Sequence, residues 1–215
     1  MEKKFNIDNE FFLERINETK ESYPFPSPGD KMRSCLDVGA NVGAFSILFS
    51  EYCNNVIAIE PYKPNYDFMV NKINELKLDN IITYNKAISR IDGEIIEMSV
   101  ADQESCSGDI STSDPKGIVH LGTAETMSYS YINENYPGIT YMKVDCEGCE
   151  YDLLMGSPLK EVKILVMELH GDYIGKKKKR ELLNYLGTQF KSMQARPENN
   201  EVLMFFNIDI PIKQV

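Results

Sequence analysis

Apolar positions along the chain follow two alternating patterns. Phe45, Leu48, Phe49 and Tyr52 fall at i, i+3, i+4 and i+7 and predict a helix over 43–52; Tyr66, Met69, Val70 and Ile73 repeat that spacing and predict another after Pro64. Between such stretches lie short apolar runs at 34–38, 56–59, 81–84, 139–144 and 162–167, which read as strands. The last of these, with Val162, Ile164, Leu165, Val166 and Met167, is apolar enough to be buried on both faces. Runs at 94–100 and 117–121 also read as strands, around a loop rich in Ser, Asp and Gly. A helix through 181–186 precedes two final runs, 190–194 and 202–206, split by Pro197-Glu198-Asn199-Asn200 in a hairpin-like connection. Strands joined by crossover helices give a parallel sheet, so the expected fold is α/β and doubly wound: seven strands, mostly parallel, with an antiparallel last strand.

Ahead of this pattern a helix over 8–19 is expected, with Asp8 as N-cap and Phe12, Leu13 and Ile16 on one face. The prolines of Tyr23-Pro24-Phe25-Pro26-Ser27-Pro28 then exclude both helix and central strand. Residues 1–33 therefore read as an N-terminal helix and Pro-rich linker, and 34–215 as the main domain. The linker, together with the region 129–136, is a candidate lid over a substrate.

Length and charge narrow the partners. A chain of 215 residues with 42% hydrophobic and 26% charged positions can bury one sizeable core. Its formal net charge of −10 opposes a main role in gripping a nucleic-acid backbone, so no nucleic acid is expected. No apolar run reaches the length of a membrane span, and the first residues lack a secretory signal's apolar stretch, so no membrane and a cytoplasmic location are expected. The five cysteines, Cys35, Cys53, Cys106, Cys146 and Cys149, are odd in number and scattered, and reduced thiols are the expectation.

The chemistry concentrates at strand ends. Leu36-Asp37-Val38-Gly39-Ala40-Asn41-Val42-Gly43 joins the first predicted strand to its helix; its glycines let backbone approach a ligand, and its helix start offers N–H groups to an anion. The same turn would also serve tight strand-to-helix packing alone. Glu60 closes the second strand 23 residues after Asp37, where a nucleotide-binding sheet carries a carboxylate for ribose hydroxyls. A surface Glu capping the next helix is the plainer account of Glu60, but it leaves the glycine turn unexplained.

Four stretches resemble the FkbM-type methyltransferases, a branch of the class I S-adenosylmethionine-dependent enzymes with a Rossmann-like fold. They are Cys35-Leu36-Asp37-Val38-Gly39-Ala40-Asn41-Val42-Gly43-Ala44-Phe45-Ser46, Val56-Ile57-Ala58-Ile59-Glu60-Pro61, Asn85-Lys86-Ala87-Ile88-Ser89 and Met142-Lys143-Val144-Asp145-Cys146-Glu147-Gly148-Cys149-Glu150. The resemblance spans about 34–170 and implies S-adenosyl-L-methionine as cofactor. Asp37, Gly39, Ala40, Asn41 and Gly43 would hold its methionine end, Glu60 its ribose, and Pro61 with Asn85 to Ala87 would border the adenine. Asp145 would lie beside the transferable methyl. Asp145, Glu147, Glu168 and His170 are then candidates for a base, or for ligands of a divalent cation such as Mg, as in the magnesium-dependent relatives this fold resembles. The competing account makes Lys143, Asp145, Glu147 and Glu150 a structural ion-pair network and His170 a loop residue.

The acceptor implied by the family is a small molecule, a hydroxyl of a sugar or sugar-containing compound. The basic run Lys176-Lys177-Lys178-Lys179-Arg180 suits an anionic sugar derivative or merely a solvated face. Two rivals stand beside methyl transfer. One is a nucleotide-dependent oxidoreductase, disfavoured because the turn lacks the third glycine of the dinucleotide fingerprint. The other is a non-catalytic module that keeps the cofactor pocket. Cys146 and Cys149 depart from the family pattern; small-residue packing is the expected role, ahead of redox chemistry, and a zinc site lacks partner ligands.

Overall fold

The computed structural model describes residues 8–26, 32–100, 119–196 and 202–207. Helix α1 (Asn9–Ser22) starts where Asp8 accepts N–H bonds from Glu10 and Phe11, as expected of an N-cap. Its buried contact is Phe12, packed with Val42 and Ala44, whereas Leu13 is 59% exposed and does not share that face. The main sheet begins with β1 (Met32–Val38), followed by α2 (Ala44–Phe49), β2 (Cys53–Ile59), α3 (Lys63–Leu76) and β3 (Ile81–Tyr84). After two strands outside that sheet, β4 (Ala87–Ile88) and β5 (Ile95–Val100), come β6 (Val119–Met127) and α4 (Tyr129–Asn135). The chain then runs through β7 (Ile139–Val144), α5 (Glu150–Leu154), β8 (Ile164–Glu168), α6 (Gly171–Gln189), β9 (Ser192–Ala195) and β10 (Val202–Phe206).

Seven strands form the main sheet in the order β3-β2-β1-β7-β8-β10-β9. The pairs from β3 through β8 are parallel, and β10 runs antiparallel to both β8 and β9. This is the expected doubly wound sheet with its last strand reversed. The run at 94–100 and the described part of the run at 117–121 do not enter it; β5 and β6 pair with each other and, with β4, make a separate three-stranded sheet. Their alternating, half-polar pattern suits an antiparallel ribbon with one wet face rather than a strand covered on both sides.

The core lies on both faces of the main sheet. On one face Leu36, Ile57, Met142 and Leu165 meet Ile132 of α4, Leu153 and Leu154 of α5, and Leu182 and Leu186 of α6. On the other, Cys35, Val56, Tyr141 and Val166 meet Phe45 and Phe49 of α2. The described part of the linker is docked here: Phe25 stacks on Phe49 at 4.8 Å, Tyr23 meets Phe45 edge-on at 5.1 Å, and the Tyr141 hydroxyl donates to the Pro24 carbonyl at 3.1 Å. The region 129–136, expected to share in a lid, is instead the capped helix α4. Ser128 accepts from the Tyr131 N–H, and Tyr129 and Ile132 are buried in the core, so this segment is anchored by packing. The rest of the linker, Cys106, the Ser-rich loop and the 197–200 turn lie outside the described residues. Among the described residues no helix is long and apolar enough to cross a membrane.

Candidate active site

Strand order reverses on either side of β1, and there the carboxyl ends of β1, β2 and β7 open a crevice. Glycine is required at its floor: Gly39 has φ 75°, and a Cβ there would lie 1.7 Å from the Asp145 carbonyl oxygen. The turn is tied to its neighbours by Gly39 and Ala40 N–H groups donating to the Ile59 carbonyl, and by the Asp145 N–H donating to that of Val38. The result is an open cleft at the rim of the sheet. It is lined by Val38, Gly39, Asn41, Ile59, Glu60, Pro61, Asn65, Lys86, Ala87, Ile88, Asp145, Cys146, Glu147 and Cys149.

Of the residues expected at a cofactor, Gly39, Asn41, Glu60, Pro61 and Ala87 line this cleft. Glu60 is 4% exposed and accepts N–H bonds from Asn41 at 2.8 Å and Tyr62 at 2.9 Å. Burial pushes its carboxyl up to about 7, against the pull of those two N–H donors. Asn85 is a strut and not part of the lining: its amide donates to the Glu60 and Pro61 carbonyls at 2.8 and 2.9 Å, holding that turn. Ala40 and Gly43 also lie outside the lining, Gly43 being pressed against Met69 of α3.

Asp37 sits beneath the glycine turn, fully buried, and does not reach the cleft. Its Oδ2 accepts from the Ser46 hydroxyl at 2.6 Å, and its Oδ1 is 3.5 Å from Lys143 Nζ. The same ammonium lies 3.4 Å from Asp145 Oδ2 and donates to the Gly39 carbonyl at 2.6 Å. Burial opposes the lysine's charge, but Asp145 and Asp37 outweigh it and hold Lys143 protonated. One buried cation thus locks two strand ends and the turn between them.

A second network stands beside the first. His170, after β8, has Nε2 3.1 Å from Glu147 and Nδ1 2.6 Å from Glu150. Burial pushes the imidazole down, but hydrogen bonds to Glu147 and Glu150 reverse this and carry it up to about 11. With both nitrogens donating, His170 cannot serve as a base in this arrangement. Asp145, Glu168 and His170 each bring one donor atom to within 4.8 Å of the others, and Glu168 is pushed up to about 7 by burial and then by Asp145. The single ion-pair network that competed with a catalytic role is therefore two: Lys143 with Asp37 and Asp145, and His170 with Glu147 and Glu150.

The expectation of reduced thiols holds for Cys35 and Cys53 and fails for one pair. Cys146 and Cys149 are joined as a disulfide, because the β7–α5 loop brings their Cα atoms to 5.6 Å. Cys35 and Cys53 are free and buried.

Lys143, Asn65 and Ile88 were not among the expected site residues, and Lys86 entered only within the Asn85 to Ala87 segment. A lysine in the fully buried strand β7 is itself a signal, since such a charge needs partners. Asn65 sits four residues before Met69 on the buried stripe of α3, a polar residue where the period calls for an apolar one.

The methyltransferase FkbM domain family matches residues 37–207, which takes in the turn, both networks and the cleft. The chain belongs to the FkbM methyltransferase family. The solved structure of methyltransferase FkbM from Methylobacillus flagellatus is similar at 15% identity and a TM-score of 0.53, over 89% of this chain and 50% of that one. The chain thus spans half the length of that relative. A methyltransferase from Geobacter sulfurreducens is similar at 12% identity, over 94% of this chain and 90% of that one, with a TM-score of 0.46. A Streptococcus mutans protein in complex with SAH is similar at 12% identity, over 93% and 98%, with a TM-score of 0.48. The likeness to the Methylobacillus flagellatus structure is one of fold. No curated protein matches the chain in sequence. The seven-stranded sheet and its crevice therefore lie within an FkbM methyltransferase domain.

Proposed function

We propose that this FkbM-family chain transfers a methyl group from S-adenosyl-L-methionine to a hydroxyl oxygen of a small acceptor, a sugar or an anionic sugar derivative. The observation that carries the reading is Glu60: a buried carboxylate at the end of β2, aimed into the cleft formed at the switch in strand order. The cleft fits the cofactor on a second count. Asn65 is 1% exposed, lines the cleft, and its Oδ1 has no hydrogen-bond partner, an orphaned acceptor suited to a ligand donor. The acidic rim of Glu60, Asp145 and Glu147 also suits a sulfonium.

Bound there, S-adenosylmethionine supplies an electrophilic methyl group. Glu60 would accept from the ribose hydroxyls, and Gly39 and Asn41, which line the cleft, would border the methionine end. Pro61 and Ala87 border the adenine. Asp145, fixed by Lys143, faces the acceptor side of the cleft. Glu168, poised at about 7 beside Asp145, takes the hydroxyl proton, since a base titrating near working pH is the effective one.

Asp145 and Glu168 would offer oxygen ligands to a divalent cation such as Mg, or Mn, and His170 would join them only as the neutral imidazole, once Nε2 has left Glu147. Glu150 grips the far nitrogen of His170, the orientation a histidine ligand requires. Such a cation would supply Lewis-acid activation of the acceptor.

Titration calorimetry with S-adenosylhomocysteine, with NAD as control, followed by a methyl-transfer assay over a panel of hydroxyl acceptors, tests the reading. Binding of the sulfur nucleoside and turnover with a hydroxyl acceptor are expected. Heat with NAD alone would reassign the cleft to an oxidoreductase. Binding without turnover across the panel would make it a non-catalytic module.

A further inference from the structure

The loop that carries Asp145 and Glu147 is closed by a bond that methyl transfer does not use. The Cys146–Cys149 disulfide encloses just two residues, Glu147 and Gly148, and both have left-handed backbone, with φ 52° and 108°. For Glu147 that conformation is uncommon, and a side chain there gains from a cross-link that keeps the loop from relaxing.

Both enclosed residues reach the histidine pair. Glu147 lies 3.1 Å from His170 Nε2, and the Gly148 N–H donates at 3.1 Å to Glu150 Oε1, the same oxygen that meets His170 Nδ1. Cys149 directly precedes α5, whose first residue is Glu150. The sulfur bridge therefore sets the geometry of both carboxylates that grip His170.

A ring closed over so short a span removes less chain entropy from the unfolded state than a long-range bridge, and this fold already has its core. Cys35 and Cys53 are buried close enough to hydrogen-bond, yet remain thiols. The oxidised pair is the one that lines the cleft, with Cys146 half-buried and Cys149 6% exposed.

We propose that Cys146 and Cys149 form a reversible thiol–disulfide switch that sets the grip of Glu147 and Glu150 on His170. The reductant is a dithiol of the small-molecule or thioredoxin class. Its thiolate attacks Cys146 Sγ, the more accessible sulfur; the S–S bond breaks and Cys149 leaves as a thiolate that takes up a proton. The second thiol of the reductant then resolves the mixed disulfide, so the protein gains two thiols and the reductant becomes a disulfide. Reduction frees Glu147 to leave its left-handed backbone and loosens the hydrogen bond from Gly148 to Glu150. The consequence for the cofactor and cation rests on the methyl-transfer reading; the switch itself does not.

The test uses the full chain, oxidised with oxidised glutathione or reduced with dithiothreitol. Maleimide mass labelling counts thiols, and hydrogen exchange of the 145–154 peptide reads the loop. Two additional labelled thiols are expected after reduction, reversed on reoxidation, with exchange in the loop faster by about tenfold. S-adenosylhomocysteine is expected to slow the reduction by covering the sulfurs, which line the cleft. A Cys146→Ser, Cys149→Ser double variant is expected to match the reduced form and ignore dithiothreitol. Cys146 and Cys149 already labelled under oxidised glutathione, or loop exchange identical in both states, would overturn the switch. Failure of both states to bind S-adenosylhomocysteine would instead overturn the methyl-transfer reading, with labelling and exchange still deciding the switch.

Discussion

Replacing Glu60 by Gln removes one charge from the cleft while nearly preserving shape, and the structure sets the size of the effect. In the ligand-free protein burial holds the carboxyl at about 7, so it is half protonated at neutral pH. Both oxygens of Glu60 are free to accept from ribose hydroxyls only in the ionised form, since a neutral carboxyl turns one of them into a donor, so full binding releases that proton. Apparent affinity for S-adenosylhomocysteine should therefore rise about tenfold between about pH 6 and pH 8. Linkage adds an opposite trend in the free protein. The unfolded chain loses this proton near its ordinary value of 4.5 while the folded protein keeps it, so stability is full below about 4.5 and falls as pH climbs through 7. The loss is on the order of 3 kcal/mol. In the Gln variant one of the two N–H donors, from Asn41 or Tyr62, faces an amide that cannot accept. Affinity should drop by about 1.5 to 3 kcal/mol, and this share of both pH slopes should vanish. Calorimetry and denaturant melts at several pH values, wild type against variant, read both effects. A Gln variant that keeps the wild-type slopes would refute the assignment of Glu60 to the ribose.

Lys143→Met should destabilise the fold by about 3 to 5 kcal/mol in urea melts, because Asp37 and Asp145 are left without their shared cation; adding Asp37→Asn should recover part of the loss. Gly39→Ala should lower stability by at least about 2 kcal/mol and abolish cofactor binding, since its Cβ collides with the Asp145 carbonyl. Asp145→Asn should slow methyl transfer far more than it weakens S-adenosylhomocysteine binding; equal effects in kinetics and calorimetry would return Asp145 to a purely structural role. Mn²⁺ or Mg²⁺ should raise the melting temperature of the wild type and not of Glu168→Gln, as read by differential scanning fluorimetry.

Much of the scaffold was legible because it depends on local periodicity. The stripes Phe45-Phe49 and Met69-Ile73 form helices facing the sheet, and the apolar runs ending at Val38, Ile59 and Val144 form parallel neighbours. The glycine turn and Glu60 were legible for a related reason: each sits at the end of a strand, where main-chain direction alone places it at the rim. The small sheet of β4, β5 and β6 was not, because its pairing is decided by partners far apart in sequence. The helix α4 was hidden by its aromatic and polar make-up, and became clear only with Tyr129 and Ile132 in the core.

By itself, then, the order of residues determined the α/β class, the reversed last strand and the rim positions of Glu60 and Asp145, since strand period and helix period are short-range properties. Tertiary structure alone decided what those side chains face. It placed Asp37 under the turn with Lys143 and set His170 between Glu147 and Glu150. It also brought Cys146 to Cys149 and left Asn65 open to the cleft. Charge pairing and burial depend on which strand ends become neighbours, and that is fixed only once β1, β7 and β8 lie side by side.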